Sequence, residues 1–412
     1  MNRLDEMRPG STGSPPGLSL QAGWLIDGSG GPACPNVRLQ LAGGVIRSIE
    51  GGEACVPPGA PAETVVDFSG CTLIPGLIDS HVHLTMSGNP DDGLRARLRE
   101  APFEAVRGMV TENLRAHLRH GVVAVRDGGG ARGNALRFAR MERAHPASAV
   151  RIRSAGRAWH RAGRYGRLIG RPPAAGLTLA QAIRQETEAA DHVKIVNSGL
   201  NSLTEFARPT APQFDSGELV AAVQTAAGQG RPVMVHANGE AAVRGAVRAG
   251  CRSVEHGFFM GSDNLARMAE RRVAWVPTAV TMQAYAELFA GTGRNPDVAR
   301  RTLDHQLEQI LRARRAGVTV ALGTDSGSPG VHHGAAVIAE MKLLTQAGYT
   351  IEEAIRCASL NGAALWEGRE GLLAPGRPAT FVAVSGNPCG LPESLASVRA
   401  VFIDGLRQFA AG

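Results

Sequence analysis

The sequence predicts an α/β fold: a (β/α)8 TIM-like barrel with a small composite β-sandwich built from both chain ends. Between about residues 71 and 370, short apolar runs alternate with longer stretches of helical period, which is typical of repeated βα units around a parallel sheet. Both ends of the chain instead show short alternating segments separated by turn signals. The length of 412 residues exceeds one ordinary compact core and accommodates a barrel with an appended unit.

The two ends of the chain share a sequence pattern that is typical of a small β unit. Alternating segments occur at residues 37–41 and 45–49, and similar ones return at residues 379–384 and 398–405. We therefore expect residues 18–70 and 371–412 to form the sandwich together, and residues 71–370 to form the barrel. Residues 1–17 are polar, rich in Gly, Pro and Ser, and lack an apolar run of signal-peptide length, which predicts a disordered tail.

Eight apolar runs are candidates for the barrel strands. They are residues 72–77 (leading into His81 and His83), 122–127, 150–154, 192–196, 232–236, 253–256, 274–277 and 318–325. Helical patterns fill the gaps, for example at residues 103–118, 219–227, 299–316 and 335–347. Because the chemistry of such a barrel lies at the C-terminal ends of its strands, polar residues are expected where each run ends.

Ligand-type residues stand at five of these strand ends. They are His81 and His83 on strand one, Lys194 on strand four, His236 on strand five, His256 on strand six and Asp325 on strand eight. Side chains two apart on a strand share a face, so His81 and His83 can reach one metal ion. Each residue alone has a structural alternative, such as a hydrogen-bonded core histidine, a surface lysine or a helix N-cap. Five such endings at one mouth favour a metal site.

Lys194 lies in an apolar run and suggests how two metals could be bridged. Four imidazoles and one carboxylate can hold two divalent ions if a further anionic group joins them. Burial near cations lowers the pKa of a lysine, and a neutral amine can add carbon dioxide to give a carbamate with two oxygens. An ion pair of Lys194 with Asp191 or with another acid is the structural alternative.

The motifs, taken in order, resemble those of the amidohydrolase superfamily. They are Pro75-Gly76-Leu77-Ile78-Asp79-Ser80-His81-Val82-His83, Val193-Lys194, Val235-His236-Ala237, Val254-Glu255-His256-Gly257 and Leu322-Gly323-Thr324-Asp325. They are most similar to the imidazolonepropionase-like branch, which contains Xaa-Pro and Xaa-Arg/Lys dipeptidases. The resemblance covers nearly the whole chain, including Leu25-Ile26-Asp27-Gly28-Ser29-Gly30 near its start and Gly371-Leu372-Leu373-Ala374-Pro375-Gly376 near its end.

This resemblance implies a barrel with a composite β-sandwich and a centre of two divalent metal ions, expected to be zinc. Carried over to matching positions, it assigns His81, His83 and Asp325 to the more buried metal, His236 and His256 to the more exposed one, and carboxylated Lys194 to the bridge. A metal-bridging hydroxide would be the nucleophile. Asp325 would be the catalytic residue that accepts its proton and passes it to the leaving group.

The chain departs from the family around the predicted substrate. Where relatives often carry Gly-Gly-His after strand three, this sequence reads Gly163-Arg164-Tyr165-Gly166, and Tyr165 is expected to replace that histidine as a hydrogen-bond donor. The substrate-binding candidates are Tyr165, Arg164, His160 and His333, with Arg164 as a carboxylate clamp. A solvated basic loop and structural or helix-capping histidines are the alternatives.

Composition excludes several other classes of partner. The net charge is +7, but seven arginines lie in residues 151–171 and aromatic residues make up only 4% of the chain, so no nucleic-acid partner is expected. No apolar run of membrane-spanning length occurs, so no membrane partner is expected. The six scattered cysteines without a CxxC pair predict reduced thiols and a cytoplasmic location. The family resemblance leaves a homo-oligomer open.

The leading functional prediction is a binuclear metal-dependent hydrolase that cleaves a C–N bond in N-acyl amino acids or small peptides. The alternative is a phosphotriester or lactone hydrolase, because the same metal centre can attack either group. A mononuclear deaminase is less favoured, because Lys194 would then have no evident purpose. A scaffold that only binds would be expected to have lost ligands, and none is missing.

Overall fold

The computed structural model describes residues 17–51, 65–145, 149–208 and 210–410. Apart from Gly17, the predicted tail lies outside the described residues. The strands are β1 (Leu18–Leu25), β2 (Cys34–Ala42), β3 (Val45–Gly51), β4 (Val65–Pro75), β5 (Leu77–Val82), β6 (Val122–Asp127), β7 (Arg151–Ser154), β8 (Ala158–Trp159), β9 (Gly170–Arg171), β10 (Val193–Val196), β11 (Val233–Ala237), β12 (Ser253–His256), β13 (Ala274–Val276), β14 (Phe381–Ser385), β15 (Val398–Ile403) and β16 (Leu406–Ala410).

The helices follow the predicted helical stretches closely. They are α1 (Asp92–Glu100), α2 (Phe103–Arg119), α3 (Asn134–Ala144), α4 (Leu179–Gln185), α5 (Ser216–Gly228), α6 (Glu240–Ala249), α7 (Ser262–Arg271), α8 (Val280–Gly291), α9 (Asp297–Ala316), α10 (Ala335–Gln346), α11 (Ile351–Cys357) and α12 (Leu360–Ala364), with two short 3₁₀ helices at Pro388–Gly390 and Glu393–Ser397. Helix α6 shows why they form: Ala242, Val243, Ala246 and Val247 are buried along one stripe.

Both ends of the chain contribute to one seven-stranded sheet. Its order is β16-β15-β14-β4-β1-β2-β3, and only β1 and β4 run parallel. Residues from both ends share its apolar core, in which the rings of Phe381 and Phe402 stack with centroids 4.6 Å apart. The described strands form one continuous hydrogen-bonded sheet where a sandwich of two sheets was predicted.

Gly76 separates this sheet from the first strand of the parallel system. The predicted strand at residues 72–77 is wrong in its position: β4 ends at Pro75 within the seven-stranded sheet, and β5 begins at Leu77. A Cβ atom at position 76 would lie 2.6 Å from Val123 Cγ2 and 2.9 Å from Thr380 Cγ2. Only glycine fits this close approach, which allows the chain to leave one sheet for the other.

Two parallel sheets carry four of the predicted metal ligands, namely His81, Lys194, His236 and His256. One has the order β5-β6-β7 and the other β13-β12-β11-β10-β8-β9. Residues 318–325 do not form the regular eighth strand that was predicted. Parallel bridges from Val320 to Trp275 and from Ser326 to Val82 instead join the two sheets through this segment. On the other side, the Asp191 N–H donates to Ser154 O at 3.0 Å, but no described strand ladder closes the ring there.

Among the described helices, none is both long and apolar enough to cross a bilayer. Five cysteines are free thiols: Cys34, Cys71, Cys251, Cys357 and Cys389. Cys55 lies outside the described residues.

Glu340 on α10 holds the N-terminus of α8 in the protein interior. Its Oε1 accepts from the Ala279 N–H at 3.0 Å and its Oε2 from the Val280 N–H at 2.7 Å, and the side chain is fully buried. These two N–H groups have no acceptor within their own helix. Burial raises the pKa of Glu340 to about 8, although both N–H groups favour the ionised form.

Replacing Glu340 should therefore change both the magnitude and the pH dependence of stability. We expect Glu340→Ala to lower the unfolding free energy by about 2–4 kcal/mol, because it leaves two buried donors and a cavity. A carboxyl group whose pKa is raised in the folded protein makes its full contribution to stability at pH values below the ordinary pKa of glutamate. For Glu340 this contribution is lost as the pH rises through about 8. The stability of wild type relative to Glu340→Gln should thus fall between pH 6 and pH 9, measured by urea unfolding.

The control is Glu308→Gln, which changes an exposed glutamate paired with Arg312 on α9. It should alter stability by less than about 0.5 kcal/mol at either pH. A pH dependence that is identical in wild type and Glu340→Gln would contradict the role given to this carboxyl group.

Candidate metal centre

Four histidine rings meet at the C-terminal ends of the parallel strands. The ring of His81 on β5 lies with its centroid 5.5 Å from that of His83 and 4.9 Å from that of His256, which ends β12. The ring of His236 on β11 lies 4.6 Å from that of His256. The structure therefore brings together the four histidines that the sequence selected, which lie 175 residues apart from first to last.

His81, His83 and Asp325 form a compact group of possible ligands. One nitrogen of each imidazole and one Asp325 oxygen all lie within 4.8 Å of one another. Asp325 Oδ1 is 3.2 Å from His83 Nε2 and 3.5 Å from His81 Nε2. Two imidazole nitrogens and a carboxylate oxygen at these separations suit a divalent ion such as zinc.

Each histidine has one ring nitrogen engaged by a neighbour, which leaves the other for a ligand. His81 Nδ1 donates to Glu255 Oε2 at 2.8 Å, and His83 Nδ1 donates to Gly129 O at 2.8 Å. His256 Nδ1 is hydrogen-bonded to Thr278 Oγ1 at 2.8 Å, while His236 Nε2 donates to Gly199 O at 3.1 Å. Such partners fix the tautomer and orientation of metal-binding histidines.

Glu255 and Arg126 are functional candidates that the sequence reasoning missed. Arg126 donates to Glu255 Oε1 at 2.8 Å, and neither side chain is more than 3% exposed. Burial alone would raise the pKa of Glu255, but Arg126 and His81 hold it well below its ordinary value. Glu255 directly precedes His256 on β12, so the two side chains point to opposite faces of the strand. This position beside a proposed ligand was the signal that the sequence offered for Glu255. No signal in the sequence pointed to Arg126.

Lys194 lies among these groups and is only 1% exposed. Burial lowers its pKa to about 8, against the opposing effect of Glu255 and Asp325. Its Nζ is buried and has no hydrogen-bond partner in the described part of the chain. The alternative ion pair with Asp191 does not form, because Asp191 contacts Arg143 at 2.6 Å and Arg153 at 3.6 Å instead.

The protonation states suit metal binding. Burial lowers the pKa of His81 to about 4 and that of His236 to about 3. Burial would raise the pKa of Asp325, but His83 and the other nearby imidazoles hold it far below its ordinary value. Near neutral pH His81 and His236 thus offer neutral imidazoles and Asp325 a carboxylate, whereas the hydrogen bond with Asp325 outweighs burial and raises the pKa of His83. The buried His81 Nε2 and Asp325 Oδ1, which lack hydrogen-bond partners among the described residues, fit a metal at this position.

The backbone at the site adopts conformations that ordinary residues seldom use. His256, Thr278 and Asp325 have φ angles of 66°, 48° and 59°. Each such residue costs on the order of 1 kcal/mol, and such strain is concentrated at functional sites. Around Asp325 the strain is supported by Asp79, which accepts from the Thr324 N–H at 3.0 Å and from Thr324 Oγ1 at 2.6 Å.

Of the predicted substrate-binding residues, Tyr165 lies beside the histidines. Its ring centroid is 5.5 Å from that of His236, and burial raises the pKa of its phenol. His160 is buried, with Nδ1 donating to Arg161 O at 2.9 Å and Nε2 without a partner among the described residues. Substrate contact by either residue stays a prediction.

The other two candidates are engaged within the protein. Arg164 donates to Ala211 O at 3.0 Å from an exposed position. His333 is hydrogen-bonded through Nδ1 to His117 at 3.2 Å and donates through Nε2 to Met86 O at 2.8 Å. Both ring nitrogens of His333 are therefore engaged within the protein, and its contact with a substrate stays a prediction.

Arg95 and Tyr285 are further residues near the mouth that the sequence did not reveal. Arg95 on α1 donates to Gly327 O at 2.8 Å, two residues after Asp325. Besides burial, the charge of Asp325 raises the pKa of Tyr285, and Arg95 lowers it, so all three groups interact electrostatically. Arg95 is one of three arginines on a helix without buried residues, so the sequence gave no earlier signal for it.

Comparisons with known proteins agree with this arrangement. A model of the amidohydrolase family matches residues 72–407. An uncharacterized protein of Mycobacterium tuberculosis is 30% identical over 380 residues, covering 91% of this chain and 90% of that protein. The ochratoxinase of Aspergillus niger is 28% identical over 409 residues, covering 90% of this chain and 81% of the relative.

A solved structure extends the similarity to three dimensions. The crystal structure of a Xaa-Pro dipeptidase with bound methionine in the active site matches with a TM-score of 0.80 at 25% identity, covering 96% of this chain and all of that one. The family model spans most of the chain, and the histidines that carried the resemblance converge in space. This chain therefore belongs to the amidohydrolase family and is a hydrolase acting on carbon–nitrogen bonds.

Proposed function

We propose that the protein is a binuclear metal-dependent hydrolase in which a carbamate on Lys194 bridges two divalent ions. The observation that carries this proposal is the buried Lys194 amine, which has no described hydrogen-bond partner and a pKa lowered to about 8. Its neutral Nζ would form a C–N bond with carbon dioxide and release one proton. The resulting carbamate would supply the anionic oxygens that the histidines lack.

The choice of lysine at position 194 supports this chemistry. Lysine occurs at only two positions, 194 and 342, among 44 basic residues, and all others are arginine. A guanidinium stays protonated and cannot form a carbamate under these conditions, whereas a buried lysine can become neutral. One of the two amines in the chain thus lies beside the imidazole cluster, where it can become neutral.

The metal centre would be divided among the strand ends. His81, His83 and Asp325 would hold one ion, and His236 and His256 the other, with the Lys194 carbamate between them. Two such ions, expected to be zinc from the donor set, would supply a deprotonated water near neutral pH and would polarise a substrate carbonyl. Ser328 Oγ donates to Asp325 Oδ2 at 3.0 Å and orients this carboxylate, which would carry the proton to the leaving amine.

The substrate class follows from the mouth of the site and from the relatives. We propose an amide or peptide bond in an N-acyl amino acid or small peptide. Tyr165 stays protonated over the ordinary pH range, so its phenol could donate to a substrate oxygen. Ochratoxinase and Xaa-Pro dipeptidase are the named relatives that support an amide substrate. Phosphotriester or lactone hydrolysis remains the competing proposal on the same centre.

We also propose that the two parallel sheets form one closed eight-unit barrel, with residues 71–370 as a hydrolase domain flanked by the sheet of both chain ends. The bridges at Val320 and Ser326 support closure on one side. On the other side, the hydrogen bond from Asp191 to Ser154 supports it.

Removing the Lys194 amine should remove the bridge. We expect Lys194→Ala to bind at most one ion per chain where wild type binds two, and to lose activity by at least about 100-fold. Metal analysis of the purified proteins measures the first effect. Carbon-13 NMR after equilibration with labelled bicarbonate should show one carbamate carbon in wild type and none in the variant.

Lys342→Ala is the matched control, because Lys342 is the other lysine and is partly exposed beside Glu393. It should keep both metals, the carbamate signal and the activity. One ion per chain in wild type, or no carbamate signal in the metal-loaded protein, would contradict the bridge.

The orienting hydroxyl of Thr278 gives a second test of the metal centre. Thr278→Val removes the partner of His256 Nδ1 at nearly constant volume, so the affinity for the ion held by His256 should fall about 10–100-fold. Activity should recover in excess metal. Thr281→Val is the control, because its buried hydroxyl donates to Thr278 O and touches no histidine. Equal metal affinities in the two variants would argue against the proposed ligand role of His256.

A substrate screen decides between the competing proposals. N-acyl amino acids and dipeptides are compared with lactones and phosphotriesters as substrates of the zinc-loaded protein. We expect the highest kcat/KM on an amide. A lactone or phosphotriester turned over more than about tenfold better than every amide would favour the alternative.

A further inference from the structure

A second cavity lies at the opposite ends of the strands from the metal centre. Its volume is about 650 Å3, within the range of small-molecule sites. Residues that immediately precede strands line it, including His192 before β10, Pro232 before β11 and Arg272 close before β13. The histidine cluster occupies the C-terminal ends of the same strands. The cavity is therefore distinct from the proposed active site.

The lining of this cavity is strongly cationic. It contains two carboxylates, Asp191 and Glu367, and six guanidinium groups: Arg126, Arg153, Arg231, Arg252, Arg271 and Arg272. Charge of one sign in a concave, partly apolar wall concentrates the field and attracts ions of opposite sign. A planar guanidinium also matches a carboxylate or phosphate through paired hydrogen bonds.

Arg126 is paired with the buried Glu255, but the two lining carboxylates do not neutralise the other five guanidinium groups. Asp191 is shared by Arg153 and by Arg143 from outside the cavity, and Glu367 is an exposed residue that contacts Arg252 at 3.1 Å. The guanidinium of Arg272 makes no hydrogen bond or ion pair with any residue that the structure describes. Within the described ranges, Arg231 donates only to neutral oxygens, including Ile183 O at 3.0 Å.

A buried imidazole lies at the inner wall of the cavity. His192 lines the cavity and is 3% exposed, and its Nε2 is buried without a partner among the described residues. The ring also hydrogen-bonds the backbone of Asp127, so His192 contributes a polar wall, and the guanidinium groups supply the donors. Leu365 and Trp366 supply apolar surface beside the arginines. The combination suits a small organic molecule that carries more than one negative charge.

We propose that this cavity, lined by Arg231, Arg272 and His192, binds a small multivalent oxyanion, either a phosphate monoester or a dicarboxylate. The cavity's guanidinium groups recognise the shared chemistry, which is two or more charged oxygens. This site is separate from the hydrolytic centre and does not depend on the proposed reaction.

Calorimetric titration of the metal-loaded protein tests the proposal with two probes, glycerol phosphate and succinate, and with glycerol as the neutral control. We expect saturable binding of at least one anion at low ionic strength, weakening as salt is added, and no binding of glycerol. Binding of only glycerol phosphate identifies a phosphate site, and binding of only succinate identifies a dicarboxylate site. No saturable binding of either anion overturns the proposal.

Matched charge variants locate the bound anion. The double variant Arg231→Gln, Arg272→Gln should bind the anion at least tenfold more weakly than wild type. The control double variant Arg267→Gln, Arg300→Gln removes the same charge from exposed positions outside the cavity, so its affinity should differ from that of wild type by less than twofold. Unaltered thermal unfolding and metal content exclude misfolding. Because Arg272 is exposed, Arg272→Gln alone should fold and weaken binding about threefold. Equal affinity in wild type and both cavity variants overturns the proposal.

Discussion

The candidate metal centre depends on the buried ion pair between Arg126 and Glu255. Glu255 uses one oxygen for Arg126 and the other for His81 Nδ1, each at 2.8 Å, so the pair fixes the ring of a proposed metal ligand. Arg126 also donates to Ser80 O at 2.8 Å and to Ser253 Oγ at 3.0 Å. The guanidinium thereby ties the backbone beside His81 to β12, which carries His256.

Burying such an ion pair costs hydration free energy, and removing only one of its partners destabilises the fold further. Two charges taken out of water lose hydration that their mutual attraction only partly restores, so an apolar replacement of both can be neutral. Removing one partner alone leaves an unpaired buried charge and destabilises a protein by about 3–5 kcal/mol. The pair is therefore better explained by what it positions than by the stability it adds. It keeps the His81 proton on Nδ1 and leaves Nε2 as the possible ligand atom.

Much of the site could be predicted from the sequence because its residues stand at recognisable places. His81 and His83 share a strand face, and His236 and His256 end apolar runs, so the strand period alone selected rings that lie within 5.5 Å of a neighbour. Arg126 could not be found, because an arginine within an apolar run is identified only by the distant carboxylate that it meets.

The departures from prediction also have physical reasons. The apolar run around Gly76 reads as one strand, since periodicity shows burial but not the sheet to which a residue belongs. His333 carries a side chain typical of a site, yet its ring is satisfied by His117 and Met86. Hydrogen-bond partners that lie far apart in the chain help to distinguish a structural histidine from a functional one. The spacing of residues along the sequence does not identify such partners.

The two ends of the parallel strands use basic residues for different physical purposes. At the end with the histidines, burial lowers the pKa of Lys194 to about 8 and makes a neutral amine accessible. At the other end, Arg231 and Arg272 belong to a set of planar guanidinium groups, which can pair with an oxyanion through two hydrogen bonds. Exchanging lysine and arginine between the two ends would remove the chemistry proposed at each. An arginine at position 194 could not become a nucleophile toward carbon dioxide. Lysines around the cavity would lose the planar fork that pairs with an oxyanion. The distribution of one amine and many guanidinium groups thus follows from the chemistry proposed at each end.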